Sequence, residues 1–335
     1  MNNITVHSQT HDYEVIINES LENLIKIYLD FKTRYFVIID KNVSTKLVPI
    51  VKEAAPNSII YETVGGESAK TIDEYQRIIA FLLENKINKK DKLIAIGGGS
   101  IGDLTGYVAS TYKRGLDFIN IPTTTLAMVD SSICGKNALN VYEIKNAIGT
   151  IYPPEKVLIG LDVLSTLNER NINNGLCEAL KTGIILDKEL FNIFLLGKEK
   201  ERLEEVIYRS LIAKSKVVCE DENENGLRKI LNFGHTIGHA IELESGLMHG
   251  EAIANGMLIM SYEKPYYNDL KSIIWRYNFP IYKPTNVDTL IELIKNDKKS
   301  SSETIDVVVC DDIEKPVIKT VSFNLLKGVI KNYVL

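Results

Sequence analysis

The chain has 335 residues, of which 45% are hydrophobic and 25% charged, which is ordinary for a soluble globular protein of about two domains. Its formal net charge of −5 disfavours a nucleic-acid partner, because neutralising a phosphate backbone requires clustered excess base. There is no signal-peptide core, no apolar stretch of the ~20 residues that span a bilayer, and no C-x-x-C pair among the four cysteines. We therefore expect a soluble, cytoplasmic protein with reduced thiols.

The first half of the chain alternates short, fully apolar runs with helical patterns. The strand-like runs are Tyr35–Asp40, Leu93–Ile96 and Phe118–Ile121, and Ile72–Glu84 carries apolar residues at helical spacing. Such alternation is typical of a parallel sheet covered by helices. It predicts an α/β domain over residues 1–160.

The second half is mostly helical in pattern. Helical periodicity extends over Gly175–Leu186, Glu201–Val218 and Gly234–Met260, and Asp306–Cys310 is the one late strand signal. Prolines at 153 and 154 favour a boundary near that point, because proline ends regular structure. We expect a mostly α-helical domain over residues 161–335.

A glycine-rich turn follows the strand signal at Leu93–Ile96. Gly97, Gly99 and Gly102 satisfy G-x-G-x-x-G between a strand and a helix, where backbone N–H groups can approach a pyrophosphate. A tight turn without a ligand is the alternative. The usual ribose-binding acid ~20 residues later is missing, but Asp40 ends an earlier strand signal. Asp40 is either that acid or a helix cap.

Three of the five histidines fall within one short window, at His235, His239 and His249. His235 and His239 are spaced i, i+4 and share a helix face. Thr236 stands where a zinc protease would have glutamate, which disfavours protease chemistry. Catalytic zinc sites use three protein ligands and an open position, so a carboxylate from elsewhere could join two of these histidines. Structural histidines that cluster by chance are the alternative.

Taken together, these stretches resemble the 3-dehydroquinate synthase family, within the wider superfamily of sugar phosphate cyclases and iron-type polyol dehydrogenases. The matching text runs in family order over about residues 35–260: GGGSIGDLTGYVASTYKRG, INIPTTTLAMVDSSICGKNALN, KNAIGTIY, GLCEALKTGIILD, EDENENGLRKILNFGHTIGHAIE and HGEAIANGM. The resemblance implies a Rossmann-like dinucleotide-binding domain followed by a helical metal- and substrate-binding domain. It implies a homodimeric carbon–oxygen lyase that cyclises a sugar-acid phosphate through transient NAD oxidation.

The resemblance also implies roles for individual residues. Zinc or cobalt would be held by Glu178, His235 and His249, whereas His239, despite its spacing from His235, would act in proton transfer rather than as a ligand. The catalytic set would comprise His239, Glu224, Lys181, Lys136 and Arg228. Contacts to the substrate would come from Asp130, Lys136, Asn146, Lys181, Lys214, Arg228, Asn232, His239, Arg114 and Lys298. NAD would contact Asp40, Asn42, Glu67, Lys70, Gly98, Gly99, Ser100, Asp103, Thr123, Thr124, Lys136, Lys145 and Thr166.

Arg114 resembles the arginine that family dimers extend into the neighbouring subunit's phosphate site. Two positions depart from the family pattern, because Cys134 and Asn137 stand where glycine and threonine are usual. The segment Asp297-Lys298-Lys299 resembles a substrate-closing motif, with the acting lysine left open.

Three alternatives remain at this point. Another sugar phosphate cyclase is one: Arg228 argues against a 2-deoxy-scyllo-inosose synthase, whose substrate lacks a carboxylate, but an aminodehydroquinate synthase is hard to separate by sequence. A polyol dehydrogenase of the superfamily would favour aspartate at the carboxylate ligand and lack the lysine-rich site. The third alternative is a catalytically silent protein that binds metal and nucleotide.

Overall fold

The computed structural model describes residues 2–133, 135–142, 144–224, 226–284, 286–297 and 303–334. Its strands are β1 (Asn2–Val6), β2 (Tyr13–Asn18), β3 (Tyr35–Asp40), β4 (Ile59–Thr63), β5 (Lys92–Gly97), β6 (Phe118–Pro122), β7 (Lys136–Val141), β8 (Ile144–Ile151), β9 (Lys156–Gly160), β10 (Thr304–Cys310) and β11 (Pro316–Ser322). Its helices are α1 (Leu21–Tyr28), α2 (Lys41–Ala54), α3 (Ile72–Glu84), α4 (Gly99–Thr111), α5 (Thr125–Val129), α6 (Glu169–Leu186), α7 (Lys188–Leu195), α8 (Leu203–Glu220), α9 (His235–Ser245), α10 (His249–Met260), α11 (Tyr267–Arg276), α12 (Val287–Asp297) and α13 (Phe323–Val334).

The chain divides into two compact units, Met1–Asn168 and Glu169–Leu335. The first unit extends to Asn168 rather than to residue 160. The reason lies in the 3-10 helix Leu161–Thr166, where Asp162 accepts a hydrogen bond from the backbone N–H of Leu21 at 2.9 Å. The backbone N–H of Asp162 also donates to the carbonyl of Glu19 at 2.9 Å, so this helix is bound to the β2–α1 connection.

Within the described residues, the first unit contains a seven-stranded sheet in the order β1-β2-β9-β6-β5-β3-β4. All neighbours pair in parallel except β1 and β2. Four of the six residues of β5 and the first five of β3 are fully apolar and buried, as expected for strands covered on both faces. The predicted parallel-sheet α/β fold of the N-terminal part is confirmed.

A separate hairpin, β7–β8, packs its first strand against α4. Several helices of the first unit begin at side-chain caps, among them Asp40 for α2, Thr71 for α3 and Thr124 for α5, each accepting from a backbone N–H in the first turn. These caps fix where each helix leaves the sheet edge, and they place polar side chains at the carboxyl ends of the strands.

The second unit is largely helical, as predicted. The helical run predicted over Gly234–Met260 is two helices, because Gly246 adopts a φ of +67° and ends α9 with the left-handed geometry that glycine favours. The predicted strand Asp306–Cys310 lies in β10, whose antiparallel partner is β11. Across the described part of the chain, no helix combines the length and apolarity that crossing a bilayer requires.

Candidate active site

Three side chains from three helices of the second unit meet around one buried carboxylate. Glu178 Oε1, on α6, lies 3.7 Å from His235 Nε2 at the start of α9 and 3.6 Å from His249 Nε2 at the start of α10. Ligands about 2.0–2.2 Å from a tetrahedral ion are separated by about 3.3–3.6 Å. Among the described residues, this is the group of histidine and acidic side chains whose ligand atoms all lie within 4.8 Å of one another. The spacing therefore fits a divalent cation.

Close helix packing brings these ligands together. A Cβ on Gly250 would lie 2.1 Å from the carbonyl oxygen of Asn174, one turn before Glu178, so only glycine lets α10 begin this close to α6. Gly234 precedes α9 with a φ of +78°, and a Cβ there would lie 2.7 Å from Met257 Cγ on α10. The glycines thus set the distances between the helices that carry the ligands.

A hydrogen bond at Nδ1 fixes the rotation of the ring in both His235 and His249. His235 Nδ1 donates to the carbonyl of Phe233 at 3.2 Å, and His249 Nδ1 donates to Glu242 Oε2 at 3.0 Å. Both rings therefore present Nε2 to Glu178, the arrangement found in metal-binding histidines. Glu242 was not among the predicted residues, although its position seven residues after His235 places it on the same face of α9.

The electrostatics of the cluster favour an anionic Glu178. Burial alone would raise its pKa, but the Lys181 ammonium, 2.5 Å from Glu178 Oε2, and the two imidazoles hold the pKa of that carboxyl well below its usual range. Its Oε1 atom is buried and lacks a hydrogen-bond partner in the described part of the chain. A buried carboxylate oxygen without a donor is costly unless a cation meets it, so this atom fits a metal ligand.

The two histidines differ in protonation. Burial, followed by the Lys181 charge, lowers the pKa of His235 well below its usual value, which keeps this imidazole neutral as a ligand must be. Burial would also lower the pKa of His249, but the carboxylates of Glu178, 3.6 Å away, and Glu242, 3.0 Å away, raise it to about 9. Ligation through His249 Nε2 therefore releases a proton near neutral pH.

His239 lies beside the cluster but is not part of the ligand group found among the described residues. Its ring centroid is 5.3 Å from that of His235, as the i, i+4 spacing on α9 predicts, and 5.8 Å from that of His249. His239 therefore lies next to the candidate ligand group, and its predicted role in proton transfer stays a prediction.

The basic residues predicted for the second unit are buried. Lys181 on α6, Lys214 on α8 and Arg228 in the 3-10 helix Leu227–Asn232 are each less than 5% exposed, and the three elements pack against one another. Arg228 Nη1 donates to the carbonyl of Glu222 at 2.6 Å. The three adjoining elements therefore concentrate positive charge in the interior of the second unit.

Asn232 and Glu224 are joined directly, since Asn232 Nδ2 donates to Glu224 Oε1 at 2.7 Å. Glu224 has a φ of +60°, a conformation that non-glycine residues seldom adopt. The predicted contact Lys298 lies outside the described residues.

The glycine loop of the first unit joins β5 to α4. Gly98 is the N-cap residue of α4 and supplies no side-chain cap. A Cβ on Gly97 would lie 2.6 Å from Ile101 Cγ1, and one on Gly99 would lie 2.8 Å from Ser131 Oγ. These glycines serve close packing rather than a left-handed backbone, and they leave a helix N-terminus that suits an anion.

Charged and amide side chains form a network near the start of α4. Lys70 Nζ donates to Asp103 Oδ2 at 2.7 Å and to Asn146 Oδ1 at 2.6 Å, while Ser100 Oγ donates to Glu67 Oε2 at 3.1 Å. Burial would raise the pKa of Glu67, but the Lys70 ammonium and hydrogen bonds from Asn140 and Ser100 lower it. The network thus joins predicted cofactor contacts to Asn146, which the resemblance places on the substrate side.

Asp40 is a helix cap, one of the two alternatives that the sequence left open, and its contact with the ribose of NAD stays a prediction. It ends β3, and its Oδ1 accepts from the backbone N–H of Asn42 at 2.9 Å as the cap of α2. A Cβ on Gly65 would lie 2.1 Å from Asp40 Oδ2, so this side chain lies against the loop that follows β4.

The backbone N–H of Thr123 donates to the carbonyl of Gly97 at 2.8 Å, and Thr124 caps α5.

The remaining predicted residues of the first unit are more open to solvent. Asp130 is half-buried, and the exposed residues are Asn42, Arg114, Lys136, Lys145, Asn146 and Thr166. Lys136 lines a pocket together with Gly98, Gly99 and Asp103, which brings the glycine loop and this lysine to one place.

Asn137, which departs from the family pattern, is buried and well bonded. Its Nδ2 donates to the carbonyl of Gly135 at 3.0 Å and to that of Tyr152 at 2.8 Å. A Cβ on Gly106 would lie 1.8 Å from Asn137 Oδ1, so Gly106 of α4 leaves room for the amide. The other departure, Cys134, lies outside the described residues.

Known families match this chain over most of its length. Residues 60–174 match the family model of the 3-dehydroquinate synthase N-terminal domain and residues 175–300 that of its C-terminal domain. A 3-dehydroquinate synthase of Oceanobacillus iheyensis is 35% identical over 99% of this chain and 98% of its own length. One of Dictyoglomus turgidum is 38% identical over 95% of this chain and 97% of its own length.

A solved structure of 2-deoxy-scyllo-inosose synthase, complexed with carbaglucose-6-phosphate, NAD+ and Co2+, is also similar. It is 26% identical, has a TM-score of 0.83, and covers 99% of both chains. The curated relatives share more of the sequence than this structure does, and both family models name the same enzyme. The chain belongs to the 3-dehydroquinate synthase family.

Proposed function

We propose that this chain converts 3-deoxy-D-arabino-heptulosonate 7-phosphate to 3-dehydroquinate and phosphate, using NAD and a divalent metal. The observation that carries the proposal is the cluster of Glu178, His235 and His249, with the buried Lys181 2.5 Å from the same carboxylate. A metal ligand set next to a fixed cation suits a reaction that oxidises a hydroxyl and expels phosphate nearby.

Glu178, His235 and His249 would hold zinc or cobalt. The ion would supply Lewis-acid polarisation of the hydroxyl that is oxidised. The glycine loop at Gly98 and Gly99 would hold NAD, which would supply reversible hydride transfer with no net redox change. These cofactor assignments are supported by Glu178 Oε1, which lacks a hydrogen-bond partner among the described residues, and by the NAD+ and Co2+ in the related cyclase structure.

The side chains of this protein would bind and orient the substrate. Arg228 offers a planar fork for the substrate carboxylate. Lys136, Lys181 and Lys214 would hold anionic groups by charge-assisted contacts. We assign proton transfer on the substrate to His239, because its ring lies 5.3 Å from that of His235 without belonging to the ligand group of the described residues.

Ring closure requires the opened intermediate to be held with its two reacting carbons close together. Several fixed contacts to one substrate supply that positioning, which in well-oriented cases reaches effective molarities of ~10⁵ M or more. Lys181, Arg228 and Asn232 would contribute to catalysis mainly by orienting the substrate.

The test is incubation of the purified protein with the heptulosonate phosphate, NAD and zinc. We expect one phosphate released per 3-dehydroquinate formed, with no accumulation of NADH. Accumulation of NADH without phosphate release would instead indicate a polyol dehydrogenase. Formation of an amino-substituted product from an amino-substituted substrate alone would favour an aminodehydroquinate synthase.

We also propose that the protein is a homodimer in which Arg114 contacts the phosphate in the neighbouring subunit's site. Arg114 is exposed and has a φ of +64°, so a specific backbone turn presents it to solvent. Mixing Arg114→Ala subunits with Lys181→Ala subunits should restore part of the activity, since some sites then have both residues. Mixed dimers without any recovery would contradict this assignment.

A further inference from the structure

Asn140 interrupts the β7–β8 hairpin. The register is regular as far as the Leu139–Ile148 pair and shifts before the Val141–Ile144 pair. At this irregularity the backbone of Asn140 pairs outside the hairpin: its N–H donates to the carbonyl of Lys70 at 2.7 Å, and it forms an isolated parallel bridge with Thr71. Such bulges commonly redirect a side chain next to a functional site.

Both the oxygen and the nitrogen of the Asn140 side-chain amide form hydrogen bonds. Its Oδ1 accepts from the backbone N–H of Asn146 at 2.8 Å, and its Nδ2 donates to Glu67 Oε1 at 2.9 Å. A side-chain amide offers an acceptor and a donor on one short planar group. Aspartate would retain the acceptor but would face the Glu67 carboxylate with a like charge.

The residue that Asn140 holds has an unusual backbone. Asn146 has a φ of +52°, a left-handed conformation, and in it the Asn146 Oδ1 atom accepts from Lys70 Nζ at 2.6 Å. Lys70 Nζ also donates to Asp103 at 2.7 Å. The Asn140 amide therefore fixes the backbone of Asn146 at one end and the carboxylate of Glu67 at the other.

We infer that Asn140 is a positioning residue that couples the cofactor-side carboxylate of Glu67 to the substrate-side amide of Asn146. This inference rests on the proposed function, since it takes Glu67 to serve NAD and Asn146 to serve the sugar-acid phosphate. Binding of either ligand then depends on the same amide, which acts through Glu67 and Asn146.

Two substitutions separate the two ends of the amide. Asn140→Asp preserves the acceptor for Asn146 and repels Glu67, so it should weaken NAD binding about ten-fold, as expected when a hydrogen bond to a charged group is lost. The KM for the heptulosonate phosphate should stay near that of the wild type. Asn140→Ala removes both bonds and should weaken both NAD binding and substrate binding.

A third variant tests the contact itself. In the Asn140→Asp/Glu67→Gln double variant the donor and the acceptor are exchanged, because the glutamine amide can donate to the aspartate. Its loss of NAD affinity should be smaller than the product of the two single losses. The Asn85→Ala variant is the control, since Asn85 Nδ2 also makes one hydrogen bond, to the carbonyl of Phe81 at 2.9 Å in the same unit.

NAD affinity is measured by titration calorimetry on the full-length protein, alongside KM and kcat and the melting temperature of each variant. Wild-type NAD affinity in Asn140→Asp, or strictly multiplicative losses in the double variant, would overturn the inference. Equal losses in Asn85→Ala would do the same, since they would indicate a general structural effect. If the wild type binds NAD with this dependence on Asn140 but releases no phosphate, the coupling stands and the proposed function fails.

Discussion

In the second unit, the candidate metal ligands come from three helices and meet around Glu178, a carboxylate that is only 2% exposed. In the first unit, the candidate cofactor contacts come from several segments that follow strands, among them the glycine loop between β5 and α4, and from a hairpin whose second strand is mostly exposed. The metal cluster depends on long-range packing and on hydrogen bonds that rotate each ring. The glycine loop depends on close backbone approach over a few neighbouring residues. Metal binding should therefore be lost completely when one ligand is removed. NAD binding at the glycine loop should instead weaken gradually with each substitution.

The largest effect is expected for the ligands themselves. His249→Ala or Glu178→Ala should abolish stoichiometric zinc and lower turnover by more than about 10³, because several kcal/mol of charge stabilisation are lost. Zinc per chain is measured by mass spectrometry after dialysis. His7→Ala is the matched control, since His7 is exposed and pairs with Asp12. Full zinc occupancy and activity in His249→Ala would show that the ligand assignment is wrong.

The next largest effect separates His239 from His235. His239→Ala should retain zinc and NAD but lose about 10²–10⁴ in turnover, the usual contribution of a proton-transfer group. His235→Ala should lose zinc as well, because its Nε2 faces Glu178 at 3.7 Å. If the two variants lose zinc to the same degree, His239 is a ligand after all.

A smaller effect is expected for Glu242, which holds His249 Nδ1 at 3.0 Å. Glu242→Gln should weaken zinc binding about 10–100-fold, as for other carboxylates that orient a metal-binding histidine. Competition with a chelator of known affinity measures it. Glu201→Gln removes a carboxylate from an exposed ion pair with Lys198 and should leave zinc affinity unchanged. Equal zinc affinity in Glu242→Gln and the wild type would contradict a role for this hydrogen bond.

The smallest effect is expected in the glycine loop. Gly99→Ala would place a Cβ 2.8 Å from Ser131 Oγ, so the Ser131 hydroxyl or the glycine loop would have to shift at the start of α4. We expect NAD affinity to fall about ten-fold and zinc content to stay at the wild-type value. Gly328→Ala is the control, because a Cβ there meets nothing within 4 Å. Loss of zinc in Gly99→Ala would show that the glycine loop and the metal cluster are not independent.

Local sequence predicted several of the helices and strands whose hydrophobic pattern is regular. The predicted bounds of β3 and α3 match the structure, since the first is a continuous buried strand and the second has a capping threonine and regular apolar spacing. β8 and β11 were not predicted, because they are exposed over most of their length and carry lysines that obscure the strand pattern. Exposed hairpin strands have little of the hydrophobic signal on which sequence patterns depend.

The candidate site was only partly visible in local patterns. Histidine is rare in this chain, so its concentration marked α9 and α10 as a metal region. Spacing alone favoured the pair His235 and His239, whereas the ligand group found among the described residues joins His235 to His249 and Glu178. Glu178 is far from both histidines in sequence, and it was named only through the family resemblance. Which side chains meet across three helices is decided by tertiary packing, which periodicity does not encode.

The turn at Gly246 has a consequence for stability. It separates α9 from α10 and leaves each histidine ligand at the beginning of a different helix, while the third ligand is on α6. A bound divalent ion would therefore act as a cross-link among three helices that are otherwise held by side-chain packing. Each ten-fold rise in the ratio of free ion to its dissociation constant would add about 1.4 kcal/mol to the unfolding free energy, once the ratio is well above one. Thermal stability of the second unit would then report the free metal concentration to which the protein is exposed.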